Sequence, residues 1–131
     1  MSKKPTRNEI TSQALLMEAA AKVGDAEVKQ ILKNKKNLEA KAKQGVLAQF
    51  FDDIRTMFSM VRDFSKREYR KVPFGTIAAV AGALLYILSP VDLIPDFIPG
   101  IGLMDDVGVL LACLRLVRVD LQKYRLWKDR E

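Results

Sequence analysis

Four aspartates, Asp92, Asp96, Asp105 and Asp106, fall in the stretch YILSPVDLIPDFIPGIGLMDDVGVLL (residues 86–111), which holds three prolines and no basic residue. Carboxylates at this density offer several hard oxygens, the donor set that Mg²⁺ or Ca²⁺ prefers. A hydrolase can work with carboxylates and a metal alone. The spacing fits no EF-hand loop, however, and the chain has no histidine and this stretch no lysine to serve as base or nucleophile. The chemistry that remains is a non-catalytic site for a divalent cation or a basic partner. The same residues also read as caps and turns. Ser89 suits a helix N-cap, Pro90 the first helical position and Asp92 the third, where its charge meets the helix dipole. Pro95 breaks that turn and Asp96 restarts it; Pro99, Gly100 and Gly102 make another turn. Asp105 and Asp106 then open a last helix. Read this way, the acids fold one apolar helix back on the next, and both readings stand. No catalytic residue emerges, and a divalent cation is the one cofactor the sequence admits.

The elements around this stretch are helical. Residues 72–91 form an uncharged run of twenty residues, trimmed by Pro73 and Pro90 to a helix over 74–88. Such a helix is about 22 Å long, short of the roughly 30 Å hydrocarbon core of a bilayer. Gly75, Ala78, Ala79, Gly82 and Ala83 share one side of it, leaving room for another backbone to come close, in a membrane or in a tightly packed hairpin. The last helix, about 105–128, has a broad apolar face of Val109, Leu110, Cys113, Leu114, Leu116, Val117, Leu121, Tyr124 and Trp127. Arg115, Arg118, Gln122 and Arg125 make a narrow polar stripe opposite, a solvated face or a contact for lipid phosphates.

Upstream, Val46, Leu47, Phe50, Phe51, Ile54, Met57, Phe58, Val61 and Phe64 fall within about 140° of helical arc. Gln49, Asp52, Arg55, Thr56, Ser59 and Asp63 lie opposite, so residues 46–64 read as a strongly amphipathic cover for the hairpin. Before it stands KNKKNLEAKAKQG, residues 33–45, a solvated helix face or linker, or else a polybasic contact through Lys33, Lys35 and Lys36. Two shorter helices precede it, one opening on the capping box Thr6–Glu9 and one capped by Asp25. The lone cysteine, Cys113, sits in an apolar run and reads as a core residue; within one chain it excludes disulfides.

The net charge of +6 is unevenly spread. Residues 1–72 hold sixteen Lys/Arg against nine Asp/Glu, residues 73–114 none against four, and residues 115–131 six against three. Basic segments bracketing an apolar one match a membrane-surface protein. A nucleic-acid binder would intersperse aromatics or a known motif among the basic residues, and none is present, so nucleic acid is not the expected partner. The N-terminal residues lack the apolar run of a secretory signal, which points to the cytosol as the starting compartment.

The order S-P-x-D-L-I-P-D-x-I-P, followed by glycine and the Asp105–Asp106 pair, resembles the signature of the YkvA-like domain of unknown function (DUF1232 family), over about residues 74–116. The resemblance implies a small, mainly helical module associated with membranes and without an established activity. It also implies that Asp92, Pro95, Asp96, Pro99, Asp105 and Asp106 belong to the module's defining pattern.

The expectation is therefore an all-α protein: a small helical bundle built on an antiparallel hairpin with a Pro/Asp-rich connection. Residues 1–45 form a basic helical arm or linker and residues 46–131 the helical domain. Its expected role is non-enzymatic, at the cytoplasmic side of the cell membrane, inserted or peripheral, through helix packing with a protein partner or itself. The alternative is a soluble cytoplasmic adaptor whose acidic turn binds a cation or a basic partner.

Overall fold

The structure is a computed structural model that describes residues 13–88 and 106–130, apart from residues 15 and 18. Among these, every regular element is helical: α1 (Asp25–Lys33), α2 (Lys35–Ala42), a 3₁₀ segment (Gly45–Phe50), α3 (Phe51–Ser65), α4 (Phe74–Leu88) and α5 (Asp106–Asp129). Residues 13, 14, 16, 17 and 19–21 are also helical and precede α1.

The segment boundaries follow local chemistry. α1 has Gly24 rather than Asp25 at its N-cap; Asp25 and Glu27 fill its first turn and Lys33 its last, an arrangement matched to the helix dipole. Asn34 separates α1 from α2: its side-chain amide donates to Gln30 O (2.8 Å), while its own carbonyl accepts from Leu38 N (3.0 Å). One residue thus ends the first helix and starts the second. Gly45 takes a φ of +55°, the left-handed region in which glycine avoids a Cβ clash, and this turns the chain into the 3₁₀ segment. α3 closes with a Schellman turn, in which Glu68 N donates to Asp63 O (2.9 Å) and Arg67 N to Phe64 O (3.1 Å). Arg67 occupies the left-handed position (φ 64°) that glycine usually takes.

α4 is the axis of the bundle. Ile77, the run from Ala79 to Ile87 and no charged residue lie buried along it. A helix that is apolar all round must be covered all round, and α1, α2, α3 and α5 each pack against it. Its antiparallel pairing with α5 is fixed by two bonds. Thr76 Oγ1 donates to Asp120 Oδ2 (2.5 Å), and one turn further along α4 the Cys113 thiol donates to Ala79 O (3.5 Å). Numbering rises along α4 as it falls along α5, which is the expected hairpin. Cys113 is fully buried, and burial pushes its thiol up to about 12, so it is protonated and inert at neutral pH.

The small-residue stripe on α4 has its partner within the chain. A Cβ built on Gly82 would stand 2.7 Å from Ala20 N and 2.9 Å from Ala20 Cα, so the helical segment before α1 crosses α4 backbone against backbone at this glycine. Leu16 and Ala19 of that segment are buried in the core. Residues 25–42, within the stretch expected as an arm or linker, place Ile31, Leu38 and Ala42 in the same core. Ile31 and Leu38, once fully buried, each contribute about 1.5–3 kcal/mol of transfer free energy.

The amphipathic helix expected over 46–64 is present as the 3₁₀ segment plus α3, with Ile54, Met57, Phe58 and Val61 buried. Asp63 departs from the expectation. Placed on the polar face by the helical wheel, it is the one buried charged side chain among the described residues, 1 % exposed. That side of α3 is covered by the last turns of α5, which the wheel of a single helix does not contain.

Candidate functional site

The acidic turn expected to bind a cation or partner lies outside the described residues: Asp92, Asp96 and Asp105, and with them Ser89, Pro90, Pro95, Pro99, Gly100 and Gly102. Asp106 is the first residue of α5, and its side chain is likewise outside the description. Among the described residues no group of histidine, cysteine, aspartate or glutamate could hold a metal ion. The end of α4 that leads into this turn is capped from an unforeseen direction. Lys41 of α2 donates through Nζ to Ile87 O and Leu88 O, at 3.0 Å each. A cation at a helix C-terminus satisfies the orphan carbonyls and the negative end of the dipole together.

The most buried polar cluster lies between α3 and α5. Tyr124 Oη donates to Asp63 Oδ2 (2.6 Å) and lies 2.5 Å from Ser59 Oγ; Lys128 Nζ donates to Asp63 Oδ2 (3.0 Å) and Arg62 Nε to Asp63 Oδ1 (3.5 Å). Tyr69 packs edge-on against Tyr124 (ring centroids 5.0 Å apart) and tilted at 45° against Trp127 (4.8 Å), closing the cluster. Burial pushes the Asp63 carboxyl up. The hydrogen bonds from Tyr124 and Lys128, with the charges of Lys128 and Arg62, outweigh that effect and hold it below the usual carboxylate range. Burial raises the Tyr124 phenol, and its bond to ionised Asp63 raises it further. At neutral pH the cluster therefore holds an ionised acid and a protonated phenol, with neither group poised to exchange a proton. Its chemistry is that of a clamp joining two helices, and no buried polar side-chain atom among the described residues lacks a hydrogen-bond partner.

The surface most suited to a partner is the outer face of α5. Leu116 was expected on the buried face but is 64 % exposed, and Val119 and Leu126 are each 61 % exposed. Leu111 is 43 % exposed on the same side. Arg115, Arg118 and Lys123 are exposed among them. Arg125, expected in the same basic stripe, reaches back instead to Asp53 Oδ1 (2.6 Å). The basic residues expected upstream, Lys33, Lys35 and Lys36, are exposed on α1 and α2, well separated in sequence from this face. The outer apolar row was legible in principle: Leu111, Val119 and Leu126 recur at spacings of eight and seven residues, which returns each to the same side of a helix. A broad apolar face centred on Cys113 masked it.

Residues 76–112 match a family described as "Protein of unknown function (DUF1232)". Over 75 residues the chain is 37 % identical to the "Uncharacterized membrane protein YkvA" of Bacillus subtilis (strain 168), an alignment covering 57 % of this chain and 71 % of that protein. The chain belongs to the DUF1232 family. No solved structure matches it. The DUF1232 segment runs from the first turn of α4 through the acidic connection into α5, so the family's defining residues span the central pair of helices, α4 and α5. The helices wrapped around that hairpin, α1 to α3, lie before the matched segment. The relative carries the name of a membrane protein, whereas no described helix of this chain is long and apolar enough to cross a membrane.

Proposed function

We propose that this protein works at the cytoplasmic surface of a membrane, resting the outer face of α5 on anionic lipid. The observation that carries the reading is the exposed row Leu111, Leu116, Val119 and Leu126, interleaved with Arg115, Arg118 and Lys123. Apolar side chains enter the acyl boundary while guanidinium and ammonium groups meet phosphates, which is how an interfacial helix binds. Basic residues near an anionic leaflet each add about 1 kcal/mol, within a Debye length. Peripheral contact is favoured over an inserted hairpin because α4 is already covered by the protein's own helices and Gly82 is filled by Ala19 and Ala20. Insertion would strip off that cover, and it would carry the acidic connection into or through the bilayer at a cost of several kcal/mol. The name of the Bacillus relative supports a membrane setting.

The test is sedimentation with vesicles of phosphatidylcholine alone or mixed with phosphatidylglycerol. Binding to the anionic vesicles only, reversed by salt of about 0.5 M, is the expected result. The Leu116→Ser/Leu126→Ser variant should bind about tenfold more weakly, from the lost insertion of two leucines. Retention on membranes through an alkaline carbonate wash would instead mean an inserted hairpin. Equal recovery from both vesicle types, or from none, would overturn the reading and turn attention to a protein partner or a second copy.

A further inference from the structure

A second surface, lined mainly by α2 and α3, has the form of a ligand site. α2 and α3 line a cavity of ≈ 390 Å³, to which Lys128 from the last turn of α5 also contributes. That volume lies within the range of small-molecule sites. Its floor is apolar: Leu38, Ile54 and Phe58, all buried. Its rim carries four cations, Lys35, Arg55, Arg62 and Lys128, and one acid, Glu39.

The charges do not cancel. Glu39 pairs with Lys35 at 4.0 Å, and Asp63, behind the cavity wall, pairs with both Arg62 and Lys128. Within the lining itself four cations stand against one acid, Glu39, while Asp52 and Asp129 line the adjoining cleft beside Arg55 and Lys128. The donors are also held in place before any ligand arrives. Arg62 Nη2 is bonded to Ser59 Oγ (3.2 Å), and the Arg55 guanidinium lies over the Phe51 ring (5.7 Å). An ammonium carries three N–H donors and a guanidinium five, so the bonds to Asp63 and Ser59 leave others available. Fixed cations above an apolar floor select a ligand that is anionic at one end and apolar at the other.

We propose that this cavity binds a single-chain amphiphile with a phosphate head, its chain on Leu38, Ile54 and Phe58 and its head among Arg55, Arg62 and Lys128. The proposal goes beyond the membrane-surface reading, since it concerns different residues and requires no bilayer.

The experiment is calorimetric titration of the full chain with dodecyl phosphate below its micelle concentration, beside inorganic phosphate and dodecyltrimethylammonium. The expected result is saturable one-to-one binding of dodecyl phosphate. Inorganic phosphate should bind more than about thirtyfold more weakly, because it lacks the buried chain, and the cationic detergent should not bind. Lys35→Gln/Arg55→Gln, which spares every bond to Asp63, should weaken dodecyl phosphate about fivefold. Leu116→Ser/Leu126→Ser should leave it unchanged while lowering vesicle binding, so the two proposals can fail separately. Displacement by phosphatidylcholine vesicles carrying lysophosphatidic acid, and not by phosphatidylcholine vesicles alone, would identify a membrane lipid as the source of the ligand, and persistence in their presence a free amphiphile. Equal affinity for inorganic phosphate or for the cationic detergent, no saturable binding, or an unaffected double variant would overturn the proposal.

Discussion

Gly82→Ala sets a single methyl group against the backbone of the N-terminal helical segment. The added carbon would stand 2.7 Å from Ala20 N, 2.9 Å from Ala20 Cα and 3.0 Å from Ala19 C. Ordinary contact for such atoms is about 3.5–4.0 Å, so the two helices must separate by nearly an ångström. The obstacle is main chain, which cannot rotate away as a side chain would. Overpacking of this kind costs about 1–3 kcal/mol, offset by the roughly 1 kcal/mol that alanine gains over glycine inside a helix. The net expectation is a loss of about 0–2 kcal/mol, concentrated where the segment carrying Leu16 and Ala19 leaves α4. Gly75→Ala is the matched control, since a Cβ there meets nothing within 4 Å; it should be neutral or stabilising. Urea unfolding followed by circular dichroism gives both free energies, and amide hydrogen exchange over residues 13–23 locates the loss. If Gly82→Ala were as stable as the parent, with exchange over 13–23 unchanged, the backbone crossing would be wrong and the small-residue stripe would be free for another helix.

Two further outcomes follow from the polar contacts. The folded-state pKa of Asp63 lies below the ordinary carboxylate value of 3.8, so its stabilising contribution is present above that value and is lost as pH falls through the lower folded-state value. Acid titration of unfolding free energy should therefore show a decline below about pH 4 that Asp63→Asn flattens. The same variant should cost about 1–3 kcal/mol at neutral pH, where it removes two charge-assisted bonds; an unchanged acid profile would refute the clamp. Lys41→Met keeps the aliphatic stem but removes the donor shared by Ile87 and Leu88. Faster amide exchange in the last turn of α4 and a loss of about 1 kcal/mol are expected, and unaltered protection there would argue against the cap.

Which residues become helices, and where those helices stop, was largely written in local chemistry. The apolar run 74–88 bounded by proline, the Phe-rich stripe over 46–64 and the family signature across 74–116 are patterns along one continuous stretch of chain, each legible without knowing what packs against it. Family membership and the all-α hairpin followed from them. The partner of each face was decided only in three dimensions. Gly82 reads the same whether a lipid-embedded helix or the backbone of Ala20 fills it, because a small residue records only that something comes close. Asp63 looked solvated because its own helix says nothing of Tyr124 and Lys128, more than sixty residues away. Lys41 sits in a run of lysines that looks uniformly exposed, yet it alone reaches the end of α4. Leu116 looked buried on a wheel that has no knowledge of where α4 stops covering α5. A helical wheel encodes preference for water or for oil along one element; burial, charge pairing and the cavity above Leu38 arise from contacts between elements distant in sequence, and those exist only once the chain has folded.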